Sequence, residues 1–243
     1  MRHEFVIDCF PESAVRYADH AIVAVDVIRA TTMAITAVEL GYRCYPVPSL
    51  EAALQLAREL PDALLAGEQR GDVPDGFDMN NSPALLEAAQ QEDQPLILLS
   101  SSGTKLLHTA MCSPDVYLGC LRNYTAAAQA VAEASSRIAL IGAGSRGEFR
   151  EEDQLCCAWI GIELQNAGFV PADQRTAAIV RRWTGAPVSE CASGHSADYL
   201  RRTHQEIDLE FILTHVDDLQ DAFLIEGAEV VKGVPVASAV GAD

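Results

Sequence analysis

Lysine is nearly missing from the 243 residues. Lys105 and Lys232 are the only two, so the remaining positive charge is arginine, and several arginines fall in loops that follow apolar runs. Positive charge is also outnumbered, 17 Lys and Arg against 35 Asp and Glu, for a net charge of -18. That balance argues against nucleic acid or an anionic membrane surface as a partner. No apolar run is long enough to cross a bilayer, and the opening MRHEFVIDCF carries acids inside its apolar stretch, so the chain reads as soluble. The seven cysteines, an odd number with Cys156 and Cys157 adjacent, have neither metal-like spacing nor the look of a disulfide framework, which fits a reducing, cytoplasmic setting. No Pro/Gly/Ser-rich linker, low-complexity segment or repeat divides the chain. Its length suits one large α/β unit over 1–243, or two closely packed lobes near 1–120 and 121–243.

What is present alternates between short β-prone runs and helical patterns. Ala21 to Val25 is an unbroken apolar run of the kind buried on both faces of a sheet, ending on Asp26, and a helix follows from Thr32 to Leu40. Further strands are expected at Phe5–Ile7, Tyr42–Val47, Ala63–Ala66, Pro95–Leu99, Val116–Leu118 and Ile138–Ile141. Between them Ser49 caps one helix and Ser82 with Pro83 opens another; SSSGT starts a third, and an alanine-rich helix begins near Asn123 or Thr125. EEDQLCCAWIGIEL is a helix apolar nearly all round, polar helices follow at Thr176–Trp183 and Ser196–Thr203, and Phe223–Ile225 with Val230–Val231 flank Gly227 as a hairpin. The expected fold is α/β, three layers with a largely parallel or mixed central sheet.

The chemistry-bearing residues gather where strands end, the edge at which open α/β sheets bind ligands. Asp26 stands with Arg29, Thr31 and Thr32; Glu68 stands with Arg70 in a long turn-rich loop that continues to Asp78, Asn81 and Ser82. Ser101, Ser102, Gly103, Thr104 and Lys105 open a helix, and the GAGSRGEFR loop with Ser145 and Arg146 leads to Glu152 and Asp153. Together they describe a site for a metal and a phosphate. A hard cation such as Mg2+ takes oxygen ligands shared with substrate phosphate, here from Asp26, Glu68, Glu152 and Asp153. A Gly/Ser/Thr turn at a helix start offers N–H groups to an anion, with Lys105 beside it. Each piece alone also has a structural explanation. First-turn acids oppose a helix dipole, SSSGT and Thr31 serve as ordinary caps, Glu68 and Arg70 make a solvated pair, and Asp78 to Ser82 form turns.

Several phosphate chemistries are excluded. No Cys precedes an Arg by six positions, no GxxxxGK[ST] occurs, and Asp26 lacks a second Asp two residues on. Gly142, Gly144 and Gly147 fit G-x-G-x-x-G, but three acids crowd the helix start and would repel a pyrophosphate.

Val25-Asp26-Val27-Ile28-Arg29-Ala30-Thr31-Thr32, then Gly67-Glu68, Gly76-Phe77-Asp78, Asn81-Ser82-Pro83, Gly103-Thr104 and Glu152-Asp153, resemble the 2-phosphosulfolactate phosphatases of coenzyme M biosynthesis and their bacterial relatives. The resemblance spans most of the chain. It implies a Mg2+-dependent α/β phosphatase that converts 2-phospho-3-sulfolactate to 3-sulfolactate and phosphate. The chain departs from the family pattern in three places: Ser100-Ser101-Ser102 replaces Thr-Thr-Asn, Gln69 stands where arginine is common, and Asn80 replaces a glycine. With these departures, the resemblance implies a small anionic phosphorylated hydroxy acid as substrate, 2-phospho-3-sulfolactate being the first candidate. The metal acids are expected to be Asp26, Glu68, Glu152 and Asp153. Asp26 and Asp78 would position water and Arg29 would act on the phosphoryl group. Phosphate and substrate contacts would come from Arg29, Thr31, Thr32, Arg70, Asn81, Ser82, Ser101, Ser102, Gly103, Thr104, Lys105, Ser145 and Arg146. The other function weighed is a non-catalytic binder of a phosphometabolite or nucleotide at the same loops, and a homodimer is compatible with either.

Overall fold

Ala21–Val25, strand β2, lies inside the sheet with all five residues buried, as an apolar run without polar alternation requires. The computed structural model describes residues 3–89 and 94–233, so 1–2, 90–93 and 234–243 of the expected 1–243 unit lie outside the described residues. The strands are β1 (Glu4–Cys9), β2, β3 (Arg43–Val47), β4 (Leu64–Gly67), β5 (Pro95–Leu99), β6 (Val116–Gly119), β7 (Arg137–Gly142), β8 (Val170–Pro171), β9 (Phe223–Glu226) and β10 (Glu229–Lys232). The helices are α1 (Ala30–Glu39), α2 (Leu50–Glu59), α3 (Pro83–Ala89), α4 (Gly103–Ala110), α5 (Tyr124–Ala134), α6 (Glu151–Asn166), α7 (Gln174–Trp183), α8 (His195–Arg202) and α9 (Glu206–Thr214).

The ten strands form one mixed sheet in the order β4-β5-β3-β10-β9-β6-β2-β7-β1-β8. Two parallel blocks are visible, β4-β5-β3 and β6-β2-β7-β1-β8. The hairpin β9–β10 joins them through antiparallel pairing to β6 on one side and β3 on the other. The expected hairpin therefore forms, and it occupies the middle of the sheet rather than an edge. Local pattern cannot disclose this, because both partners of the hairpin are remote in sequence.

Strand alternation assigns the layers. Ile22 and Ala24 of β2 face a core with Leu96 and Leu98 of β5, built around α1 and α4. Val23 and Val25 face the opposite core, shared with Leu155, Ile160 and Leu164 of α6. Helix α2 covers the outer face of β3 and β5, where Val47, Ile97 and Leu99 pack. Helix α1 touches β3, β5, β6 and β10, and α4 touches both β2 and β3, so strands from the two blocks pack on the same pair of helices. Neighbouring strands twist against one another, and over this many strands the twist accumulates. Residues just beyond the carboxyl ends of β2, β4, β5 and β7 all line one crevice.

The helix starts follow capping chemistry in three places, one of them α7, where Asp173 Oδ1 accepts the Thr176 amide at 2.6 Å. Ser49 Oγ accepts the Ala52 amide at 3.2 Å and Ser82 Oγ accepts the Leu85 amide at 3.1 Å. Helix α1 starts two residues earlier than its apolar pattern, at Ala30, without a side-chain cap. Helix α9 and the 3-10 stretches at Pro11–Tyr17 and Val188–Ser193 go beyond the elements read from periodicity.

Candidate active site

Asp26 follows the last residue of β2. In the sheet register Val25 lies opposite Gly119 on β6 and Gly142 on β7, two residues without side chains. A Cβ at Gly142 would come within 3.0 Å of Asp153 Cβ, so glycine there lets the first turn of α6 press against the strand ends. The main chain around Asp26 is closed by Thr31, whose Oγ accepts the Asp26 amide at 2.9 Å and donates to the Asp26 and Gly119 carbonyls at 2.8 Å. Thr32 Oγ donates to the Val27 carbonyl at 2.8 Å. Both threonines are buried with their hydroxyls spent on the main chain and neither lines the crevice, so the structure gives them the work of fixing the turn.

Three buried acids, Asp26, Glu152 and Asp153, lie near that turn, close enough to feel one another's charge. Asp26 Oδ1 accepts the Ala30 amide at 3.2 Å, while Oδ2 makes no hydrogen bond among the described residues. Asp153 accepts the Val27 amide at 2.9 Å and the Gly144 amide at 3.2 Å. Glu152 is 1% exposed, and neither of its carboxylate oxygens has a partner in full hydrogen-bond geometry among the described residues, although the neighbouring Ser196 hydroxyl partly offsets its burial. Burial pushes Asp26 up to about 7, opposed by the Ala30 amide and reinforced by the charges of Glu68 and Glu152. Asp153 is raised well above the carboxylate range by burial and by Asp26 and Glu152, and Glu152 is raised chiefly by burial. Among the described residues, no group of three or more His, Cys, Asp and Glu side chains converges as a cage for a metal ion. The expected four-acid ligand set is thus not assembled as one shell. Glu68 lies in the same crevice as Asp26, but its oxygens are taken by Ser101 N at 2.6 Å, Ser101 Oγ at 3.0 Å and Gly71 N at 2.7 Å.

The 100–105 turn splits in two. Thr104 is fully buried and its hydroxyl is exchanged with Ser100 N and O, both at 2.9 Å. Gly103 is where α4 meets Asp26: a Cβ there would sit 2.2 Å from Asp26 Oδ2 and 2.4 Å from Ala30 Cβ, so only glycine fits without displacement. Ser101 and Ser102 line the crevice of about 710 Å³, together with Arg70 and the tight turn holding Ser145 and Arg146. Lys105 lies outside it. It lines an adjoining cavity of about 570 Å³ with Phe10 and Arg16, where Nζ binds Glu12 Oε1 at 2.5 Å. Asp78 also lies outside, exposed in its loop, with Oδ2 accepting the Leu65 amide at 2.8 Å. A backbone amide holds that carboxylate where it faces no crevice residue.

Arg29 is 5% exposed and forms the far wall. Its Nη1 donates to Gln205 Oε1 at 2.7 Å and to Asp208 Oδ2, and Nη2 donates to Asn81 Oδ1 at 3.0 Å. Asp208 Oδ1 in turn accepts Ser82 Oγ at 2.5 Å and the Ala84 amide at 3.3 Å. Asn81 lines the crevice, whereas Ser82 stands behind it. Helix α8 forms the roof: Tyr199 OH donates to the Gly71 carbonyl at 2.5 Å, and His195, Ser196 and Arg202 face the opening. Sequence reasoning missed Asp208 and Tyr199. Asp208 is buried with Leu209, Phe211 and Ile212, and a buried acid requires a partner, but the mixed EIDLEFILT pattern does not mark it in the sequence.

A family model described as 2-phosphosulpholactate phosphatase matches residues 9–220. A protein of Deinococcus radiodurans named probable 2-phosphosulfolactate phosphatase is 35% identical over 201 residues, 80% of this chain and 82% of that one. One of the same name from Thermus thermophilus is 33% identical over 213 residues, 84% and 87% of the two chains. Another from Clostridium tetani is 31% identical over 144 residues, 58% of this chain and 62% of that one, just short of two thirds.

Proposed function

The chain belongs to the 2-phosphosulpholactate phosphatase family, and from that membership we propose that it is a Mg2+-dependent phosphoric monoester hydrolase acting on 2-phospho-3-sulfolactate. The observation that carries the reading is the carboxyl group of Asp26, buried at a strand end with Oδ2 unbonded, raised to about 7, and set opposite Arg29 in one crevice. A three-acid cage is missing among the described residues. Mg2+, however, is usually held by one or two carboxylates, with water and substrate phosphate completing its shell. Asp26 and Asp153, with the buried carboxylate of Glu152 behind them, have the donor chemistry for that arrangement. Bound there, the ion would offset the repulsion among the acids and stabilise charge on the phosphoryl oxygens.

The protein groups divide the remaining work. Arg29, Arg70 and Arg146 line the crevice and supply N–H donors for phosphoryl, carboxylate and sulfonate oxygens, with Ser101 and Ser102 beside them. Asp26, through its free Oδ2, orients the attacking water and takes its proton as the water oxygen bonds to phosphorus. The ester P–O bond breaks, the leaving oxygen takes a proton from solvent water, and Asp26 returns the proton that it took to solvent, so that phosphate and the free hydroxyl are released. Helix α8, tied to the Gly71 carbonyl through Tyr199, forms one wall of the crevice. Seven free thiols accord with a reducing, cytoplasmic setting, and the product suits coenzyme M synthesis.

The test is phosphate release from a panel of phosphorylated hydroxy acids, in Mg2+ and in chelator, by the parent chain and Asp26→Ala. Release confined to Mg2+, fastest with 2-phosphosulfolactate and lost in Asp26→Ala, is expected. Tight binding without release from every compound would leave the enzyme reading untenable and favour a phosphometabolite-binding protein.

A further inference from the structure

We propose that Asp208 of α9 is a positioning residue that, with Gln205, holds the Arg29 guanidinium as an oxyanion fork in the crevice. A guanidinium has five N–H donors. Three bonds are made to protein, from Nη1 to Gln205 and Asp208 and from Nη2 to Asn81, which leaves two donors, on Nε and Nη2, without a protein acceptor among the described residues. Arg29 itself lines the crevice, so the spare donors belong to the group that a ligand meets there.

Several features separate this pair from an ordinary ion pair. Both partners are at most 5% exposed, so water does not compete for the guanidinium. Asp208 is anchored at its other oxygen by Ser82 Oγ and the Ala84 amide, at the start of α3, and cannot follow Arg29 if that side chain swings. Gln205 is anchored too, since its Oε1 also accepts Asn80 Nδ2 at 2.8 Å and its Nε2 donates to Thr203 Oγ at 2.7 Å. The acceptors therefore come from two segments, 80–84 and 203–208, that bracket the guanidinium. An arginine with its plane fixed in this way loses less rotamer freedom on binding an oxyanion, and its remaining edge meets two oxygens at once.

The inference rests on the functional reading in one respect, that an oxyanion occupies the crevice. It is tested by calorimetric titration of inorganic phosphate into the full chain in Mg2+, for the parent, Asp208→Asn, Arg29→Ala and the double variant, alongside kcat and KM for 2-phosphosulfolactate. Asp208→Asn is expected to weaken phosphate about 10-fold or more and to raise KM by a similar factor, with a smaller change in kcat. In the Arg29→Ala background the same substitution is expected to change the phosphate Kd less than twofold, because it acts through Arg29. An equal loss in both backgrounds, no loss in either, or no phosphate binding by the parent overturns the proposal. Non-additive phosphate binding without hydrolysis by the parent upholds it and overturns the phosphatase reading instead. Should Asp208→Asn not fold, Gln205→Ala decides by the same comparison, with an expected loss of about threefold.

Discussion

Replacing Asp26 by asparagine should stabilise the metal-free chain at pH 8 while it abolishes hydrolysis. The Asp26 carboxyl is raised from 3.8 to about 7, first by burial and then by the charges of Glu68 and Glu152. Because the folded value lies above the unfolded one, the folded chain holds the extra proton between roughly pH 4 and 7. The contribution of this group to stability is therefore full at acid pH and is lost as pH rises through about 7. About three units at ~1.36 kcal/mol each make the ionised carboxylate a burden of roughly 4 kcal/mol above pH 7, an upper value since water entry and relaxation offset part of it. Asparagine keeps an acceptor for the Ala30 amide and carries no charge. In a chain of this size ~1 kcal/mol moves Tm by about 2–4 °C, so melts in chelator should show Asp26→Asn higher by about 5–15 °C at pH 8 and near the parent at pH 4. Added Mg2+ should raise the parent and leave the variant nearly unchanged. Phosphate release should drop by ~10² or more. A variant that melts below the parent at pH 8 in chelator would refute the account of Asp26 as a group held against its own burial.

Two other substitutions separate the parts of the site. Gly103→Ala should lower Tm and activity together, since its Cβ would stand 2.2 Å from Asp26 Oδ2, and overpacking of that kind costs about 1–3 kcal/mol; unchanged melts would mean that α4 and the Asp26 turn are free to separate. Asp78→Asn should keep kcat/KM within twofold and lose about 1 kcal/mol of stability through the weakened Leu65 amide contact; a loss of activity beyond tenfold would return Asp78 to the reacting centre.

Local chemistry made much of this site readable from residues alone. The apolar run ending on Asp26 could only be a buried strand, and the acids opening an otherwise apolar α6 had to face the same edge. Ser49 and Ser82 declared their helices through their own capping bonds. Partnership was not readable. Glu68, Asp78 and Thr104 are all polar residues in turn-rich loops, and only the fold decides that their oxygens are consumed by backbone amides or by Ser101. Arg29 announced itself, but its counter-ion lies 179 positions away on a helix whose polar and apolar residues do not separate cleanly. The middle position of the hairpin was hidden for the same reason, since pairing across such distances leaves no trace in local periodicity.

That hairpin also sets an order of events for a chain emerging from the ribosome. Val230 pairs with Cys44, so β3 and β6 are made long before the strands that separate them. Until residues 223–232 arrive, each parallel block has an uncovered edge, and unpaired edges are where chains join wrongly, to one another or to themselves. The blocks can collapse on α1 and α4 early, but the sheet is sealed last, by its most sequence-distant pairing. Nascent chains arrested before residue 223 should therefore be prone to aggregation and to chaperone capture until residues 223–232 have left the ribosome and can pair with β3 and β6.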